Sequence, residues 1–193
     1  MLILASKSPR RKEILEGLGL AFRCESPLVD ESHPPKVEPS LLVRELALRK
    51  AEAVRLENPT DLVISADTIV YHRGRILGKP KDENDALVML RLLSGDTHTV
   101  YTGYAVRSMY RTVCDFCATE VRFRNLDDEE ILNYIKTGEP MDKAGAYGIQ
   151  GIGALLVDGI EGDYLNVVGL PAAPLIACLK DNFGFDYYGN KNE

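Results

Sequence analysis

Apolar positions along this chain change their spacing in a way that marks out strands and helices in turn. Met1-Leu-Ile-Leu-Ala5 is a short unbroken apolar run and reads as a strand over residues 1–5. Spacing at Ile14, Leu15 and Leu18 predicts a helix over about 9–18, with Ser8 as N-cap, Pro9 in the first turn and Gly19 as the stop. Residues 21–26 read as a second strand, followed by a loop from Pro27 to Pro39 rich in proline and acid. Leu42, Leu46 and Ala53 give a helix from Ser40 to about Leu56. Leu62 to Val70 is the most apolar stretch, rich in β-branched residues, and reads as a buried central strand reaching His72. Arg73-Gly74 turns it back through Ile76-Leu77. A helix is predicted from Asp82 to Gly95, then a hairpin of two alternating strands, roughly 97–109 and 112–124. The acidic run Asp127–Glu130 opens a helix ending at Gly138, and a glycine-punctuated stretch follows to Gly153. A strand from Ala154 to Ile160 and a helix from about Pro171 to Asn182 close the pattern. This order predicts an α/β (α+β mixed) fold on a twisted mixed sheet, one domain over residues 1–185 and a polar, frayed tail over 186–193.

One position breaks the apolar pattern. Asp67 puts a carboxylate inside the buried strand, where an unmet charge costs at least the ~1–3 kcal/mol of a lost hydrogen bond. The strand alone leaves two readings open. Either Asp67 ends the strand early and caps a turn with Thr68, or a cation, a metal or a water-filled cleft meets it. Charge distribution bears on that choice. The chain carries a net charge of −6, which argues against a surface for duplex nucleic acid. Yet Lys7, Arg10, Arg11 and Lys12 all precede the first acidic residue, Glu13, and a local cationic patch suits a small anionic ligand.

Cys114 and Cys117 form a C-x-x-C, but Cys24 and Cys178 offer no second pair, and the segment reads as a strand whose positions three apart face opposite ways. Buried, inert thiols are the expectation. The run Met1–Ala5 is too short for a secretory h-region and meets Lys7 at once, and no apolar run approaches a membrane span. A reducing, cytoplasmic setting with no membrane partner is therefore expected.

Four places combine charge with a break in regular structure. Ser6-Lys-Ser-Pro-Arg10-Arg11 is a strand-to-helix turn whose hydroxyl, backbone N–H groups and guanidinium forks suit a phosphate. Asp67-Thr68 is the second, and Gly78-Lys79-Pro80, with rigid flanks around one lysine, the third. The fourth is Asp142 to Gly153, whose glycines permit close backbone approach to a ligand. A cap, a turn, a hairpin end and a flexible loop would explain each singly; together they describe a phosphate site around a buried acid.

These residues carry a resemblance. Leu4-Ala-Ser-Lys-Ser-Pro-Arg-Arg11, Val29-Asp-Glu31, Lys50-Ala51, Ser65-Ala-Asp-Thr68 and Leu77-Gly-Lys-Pro80 are similar to blocks of the Maf family of nucleoside triphosphate pyrophosphatases. So are Leu93-Ser-Gly95, His98 to Gly103, Gly138-Glu-Pro140, Asp142 to Gly151 and Asn166-Val-Val-Gly-Leu-Pro171, in family order over nearly the whole chain. The resemblance implies an elongated, two-lobed fold akin to the inosine triphosphate pyrophosphatases, a homodimer, and hydrolysis of a nucleoside triphosphate to monophosphate and pyrophosphate. It implies a divalent metal, Mg²⁺ or Mn²⁺, with Asp67 usually the proton acceptor and Glu31 and Lys79 beside it in catalysis. Glu31 and Asp67 match the one or two carboxylates such a metal uses, and the sequence leaves Asp67 as base, metal ligand or both. Ser6, Arg11, Lys50 and Lys79 resemble the phosphate-binding group, and Arg10, Thr68 and Gln150 the base-selecting positions of the branch acting on dTTP and UTP. The sister branch, acting on 7-methylguanosine triphosphate, generally has Trp, Gln and Glu there. Asp163 departs from the pattern, where a small hydroxyl residue is usual. Two other readings stand beside this one: the sister activity, and a nucleotide-binding regulator of septum formation without essential catalysis.

Overall fold

The computed structural model describes residues 1–34 and 36–189. Seven strands form one mixed sheet in the order β2-β1-β3-β5-β6-β7, with β4 paired to β3. They are β1 Leu2–Ala5, β2 Phe22–Glu25, β3 Leu62–His72, β4 Arg75–Leu77, β5 Thr97–Arg107, β6 Thr112–Phe123 and β7 Val157–Glu161. β1 runs parallel to both β2 and β3, whereas β3–β4 and β6–β7 are antiparallel. All four residues of β1 are buried, which is why a central parallel strand shows no alternation in sequence. Helices α1 Pro9–Gly17, α2 Pro39–Glu52, α3 Glu83–Leu93, α4 Asp128–Lys136, α5 Tyr164–Val168 and α6 Ala172–Phe183 flank the sheet. Among the described residues no helix is long and apolar enough to cross a membrane.

The chain divides into two compact units, and β3, β5 and β6 contribute residues to both. The first comprises Met1–Asp67, Thr102–Cys117 and the residues from Gly169 onward. Its core joins Ile3, Ala5 and Val63 of β1 and β3 to Ala47, Ala51 and Val54 of the α2 region and Ala105 of β5. Small residues bring α2 close to the sheet: a Cβ on Gly103 of β5 would lie 2.2 Å from the Val43 carbonyl oxygen, so only glycine fits. Ser65 of β3 donates to the Ala47 carbonyl at 2.6 Å and pins the same helix.

Helix ends in this unit differ from the sequence reading in instructive ways. Ser8 occupies the N-cap of α1 without capping through its side chain; Ser6 Oγ accepts the Ser8 N–H at 3.1 Å instead. At the other end the Gly19 N–H reaches the Glu16 carbonyl and the Leu20 N–H the Leu15 carbonyl, the paired bonds of a Schellman stop. α2 starts earlier than predicted, with Pro39 in its first turn and the Glu38 carboxylate accepting from the Leu41 N–H. It also stops earlier, at Glu52 rather than Leu56, where Arg107 Nη1 takes the carbonyls of Ala51 and Val54 at 3.0 and 2.8 Å. Where the tail is described, Tyr187 donates to the Leu18 carbonyl at 2.8 Å. Residues 190–193 of the predicted tail lie outside the described residues.

The second unit comprises Thr68–Tyr101 and Ala118–Val168. Leu90 and Leu93 of α3 and Ile131, Tyr134 and Ile135 of α4 pack with Val70, Val100, Val121 and Phe123. Both helices begin as their sequences predict, Asp82 accepting from the Asp85 N–H and Asp127 from the Glu130 N–H, each at 2.8 Å. The predicted strand from Ala154 is instead a 3-10 segment, Gly151–Leu156, and β7 begins only at Val157. The short helix α5 was not legible from periodicity, being little more than one turn. Asp163 creates it: Oδ1 accepts the N–H groups of Leu165 and Asn166 at 2.7 and 3.1 Å. The unusual carboxylate thus does at a helix start what a small hydroxyl residue also does.

Candidate active site

α2 and β3 meet at Lys50 and Asp67. Along β3, Val63, Ser65 and Asp67 share one face of the pleat, and Ser65 already bonds the helix at Ala47, three residues before Lys50. Lys50 Nζ therefore reaches Asp67 Oδ1 at 2.5 Å and Glu31 Oε1 at 2.7 Å. Asp67 is only 8% exposed, so its carboxylate needs a partner at that depth, and the Lys50 ammonium is one. Of the two readings open on the strand alone, the cation holds: β3 does not end at Asp67 but continues to His72.

The turn between β1 and α1 supplies a second cation. Arg11 is a buried member of the inward face of α1, beside Ile14 and Leu15. Its Nε donates to the Gly169 carbonyl at 2.7 Å and its Nη1 to Ser6 Oγ at 3.3 Å. Burial lowers the Arg11 guanidinium from its ordinary value, Arg10 adds to that, and the nearby charges of Asp67 and Glu31 oppose it. Ser6, Arg11, Glu31, Lys50 and Asp67 are thereby gathered in one unit, and Arg10, half-buried, belongs to the same turn.

Thr68, Lys79 and Gln150 belong to the second unit. Thr68 is half-buried on the face of β3 opposite to Asp67. Lys79 is exposed, and among the described residues its ammonium makes no hydrogen bond or ion pair. Gly78 before it accepts the Gly145 N–H at 3.0 Å, tying the lysine's loop to the glycine-punctuated segment. Gln150 is exposed at the start of the Gly151–Leu156 turn. The glycines of that segment answer first to the protein's own side chains. A Cβ on Gly151, whose φ is +67°, would sit 2.9 Å from Glu139 Oε2. Glu139 is the residue that sequence reasoning passed over, although Gly138-Glu-Pro140 stood among the matching blocks.

Two carboxylate oxygens converging on one ammonium nitrogen also bear on a metal. Among the described residues no three or more His, Cys, Asp or Glu side chains are grouped to hold an ion. Glu31 and Asp67 are the two carboxylates at hand, and Lys50 Nζ engages both. The expectation of buried thiols holds for Cys178 alone: Cys114 and Cys117 are half-buried and Cys24 is exposed. Cys114 donates to the Arg44 carbonyl at 3.2 Å, and burial pushes its thiol up to about 11.

A family profile described as Maf-like protein matches residues 1–182. Among curated proteins, the dTTP/UTP pyrophosphatase of Bacillus cereus (strain G9842) is 51% identical over 179 residues, covering 93% of this chain and 94% of that protein. The dTTP/UTP pyrophosphatase of Thermoanaerobacter sp. (strain X514) is 50% identical, covering 94% of this chain and 96% of its own. That of Caldanaerobacter subterraneus subsp. tengcongensis is 50% identical over 97% of this chain and 92% of its own.

Proposed function

The chain belongs to the Maf-like protein family, and from that premise we propose that it hydrolyses dTTP and UTP to the nucleoside monophosphate and pyrophosphate. The observation that carries the reading is Lys50 bound to both Asp67, in the middle of a buried strand, and Glu31. Such an arrangement orients a buried carboxylate, as a proton acceptor needs. Curated relatives of about half identity, named dTTP/UTP pyrophosphatases, support the substrate.

In this reading a water oxygen bonds to the α-phosphorus, its proton passes to Asp67, and the bond to the bridging oxygen breaks to release pyrophosphate. The charge gathering on the leaving group is met by Arg11, Lys50 and Lys79. Arg11 suits that task because its guanidinium is already fixed by Gly169 and Ser6 and needs no reorganisation. The Ser6 hydroxyl and the start of α1 hold a phosphate oxygen. Lys50 has three donors, two engaged by carboxylates, and turns the third to phosphate. Mg²⁺ or Mn²⁺ on Glu31 and Asp67 supplies further neutralisation of the phosphates when bound. Arg10, Thr68 and Gln150 select the base, Gln150 offering the donor and the acceptor that a pyrimidine edge requires. The reading includes a cytoplasmic homodimer with neither nucleic acid nor membrane as partner, and the net charge of −6 supports the exclusion of nucleic acid.

The test is a panel of purified canonical and modified nucleoside triphosphates, scored for pyrophosphate with and without Mg²⁺ or Mn²⁺. dTTP and UTP should lead it. Release of no pyrophosphate from any of them sinks the enzyme, and 7-methyl-GTP in first place sinks the substrate.

A further inference from the structure

The segment that carries Gln150 is wrapped around two side chains. Glu139 Oε1 accepts the Gly153 N–H at 2.9 Å and Oε2 the Ile152 N–H at 3.2 Å, so one carboxylate holds the two amides that open the Gly151–Leu156 turn. The Tyr134 hydroxyl donates to Oε1 at 3.0 Å and accepts the Gly148 N–H at 3.2 Å. Gly148, Ile152 and Gly153 bracket Gln150 on both sides, and all three of their amides point inward at this pair. Backbone slack is absent. Besides the Gly151 position at 2.9 Å from Glu139, a Cβ on Gly153 would meet the Gly148 carbonyl oxygen at 2.2 Å. Glu139 is itself held: its carbonyl accepts from Lys143 Nζ at 2.6 Å, and its N–H donates to Thr137 Oγ1 at 3.2 Å.

We propose that Glu139 is a positioning residue for base selection, acting through Gln150; this rests on the reading of Gln150 as a base-selecting side chain. The chemistry asks for a carboxylate. It is an acceptor at both oxygens, so it takes two amides and a phenol at once, and the bonds are charge-assisted. An amide in its place keeps the shape but turns an NH₂ group toward one of the two backbone N–H groups. That replaces an attraction by a repulsion and releases one side of the turn. A base-reading side chain must be held in position for its donor and acceptor to count, because discrimination arises when the wrong base leaves them unpaired. Glu139 itself touches no substrate and takes no part in moving the proton.

The experiment measures kcat and KM for dTTP and dGTP on the full-length protein, its Glu139→Gln, Gln150→Ala and double variants, and Tyr134→Phe. Glu139→Gln should lower the preference for dTTP by about tenfold, the size of one lost hydrogen bond, mainly through KM, with kcat largely kept. Glu139→Asp should restore part of it. Tyr134→Phe, which keeps the packing of the ring, should move the preference the same way by a smaller factor. In the Gln150→Ala background Glu139→Gln should change the preference no further. If Gln150→Ala loses the preference while Glu139→Gln keeps it, the positioning role is wrong and the base-reading role of Gln150 stands. The positioning role is equally wrong if Glu139→Gln acts to the same extent with and without Gln150. If Gln150→Ala leaves the preference intact, base reading by Gln150 falls and the role of Glu139 with it.

Discussion

The two units hold their functional cations in opposite ways. In the first, Arg11 is buried and Lys50 half-buried, each fixed by carbonyl, hydroxyl or carboxylate partners. In the second, Lys79 is exposed on its loop and engages no partner among the described residues, while buried His98 is bonded to Tyr147 Oη at 2.7 Å. A buried charge must be paired at all times, so it is part of stability whether or not substrate is present. An exposed one acts only when a ligand arrives. Substitutions at the first kind should therefore move stability and activity together, and at the second kind activity alone.

Removing chemistry from the first unit gives the largest expected effect. Asp67→Asn should lower turnover by about a thousandfold or more while the fold survives, because the amide keeps the shape and Lys50 keeps Glu31. Pyrophosphate release beside a melting curve checks it, and near-normal turnover by a folded variant removes Asp67 from the mechanism. Lys50→Met goes further into the comparison. It strands a carboxylate that is 8% exposed, so a stability loss of about 3 kcal/mol should accompany the loss of activity. Denaturant titration reads the first effect and steady-state kinetics the second; an unchanged midpoint would mean that the pair contributes nothing to stability.

Lys79→Ala is the matching probe in the second unit. A loss of roughly 2 kcal/mol in kcat/KM is expected with no shift in the melting temperature, for every nucleotide alike, since phosphates are common to all. A shift in melting would mean that the lysine is a structural group after all. The smallest effect is a response to acid. Burial holds the His98 imidazole down to about 3, His72 adds to that, and Asp96 opposes it. The unfolded chain takes up a proton at about 6.5 that the folded one refuses, so stability falls as pH drops below that value and levels off near 3. By pH 5.5 this one group accounts for about 1.4 kcal/mol. Folding free energy measured from pH 7.5 to 5 should lose that part of its slope in His98→Gln, and an identical slope in the variant would remove His98 as its source.

Most of the first unit was legible in advance because its signals are local. An unbroken apolar run gave β1, Pro9 and Gly19 bounded α1 to within a residue or two, and a lone acid in an apolar strand pointed to Asp67. What stayed hidden there was length. From its sequence α2 reads too long, because the residue that takes its terminal carbonyls, Arg107, lies some fifty positions away. The second unit was harder to read where its structure depends on contacts across the chain. The glycines before Gly153 suggested approach to a ligand, whereas the groups they approach include Glu139 and Lys143. The strand predicted from Ala154 begins only at Val157, after the Gly151–Leu156 segment whose Ile152 and Gly153 amides are bound to Glu139.

Periodicity, caps and charge placement therefore determined most of the elements, the mixed α/β class and the identity of the chemical groups. These are properties of neighbouring residues, fixed by spacing and backbone preference. Pairing was decided only in three dimensions. That Lys50 meets Asp67 follows from the face of β3 that Ser65 shares and from the closeness of α2 that Gly103 permits. That Asp163 is a cap, and Glu139 an anchor for the turn after Gln150, follows from which backbone N–H groups were left without partners. A sequence states which donors and acceptors exist; only the folded backbone decides which of them remain to be satisfied, and by what.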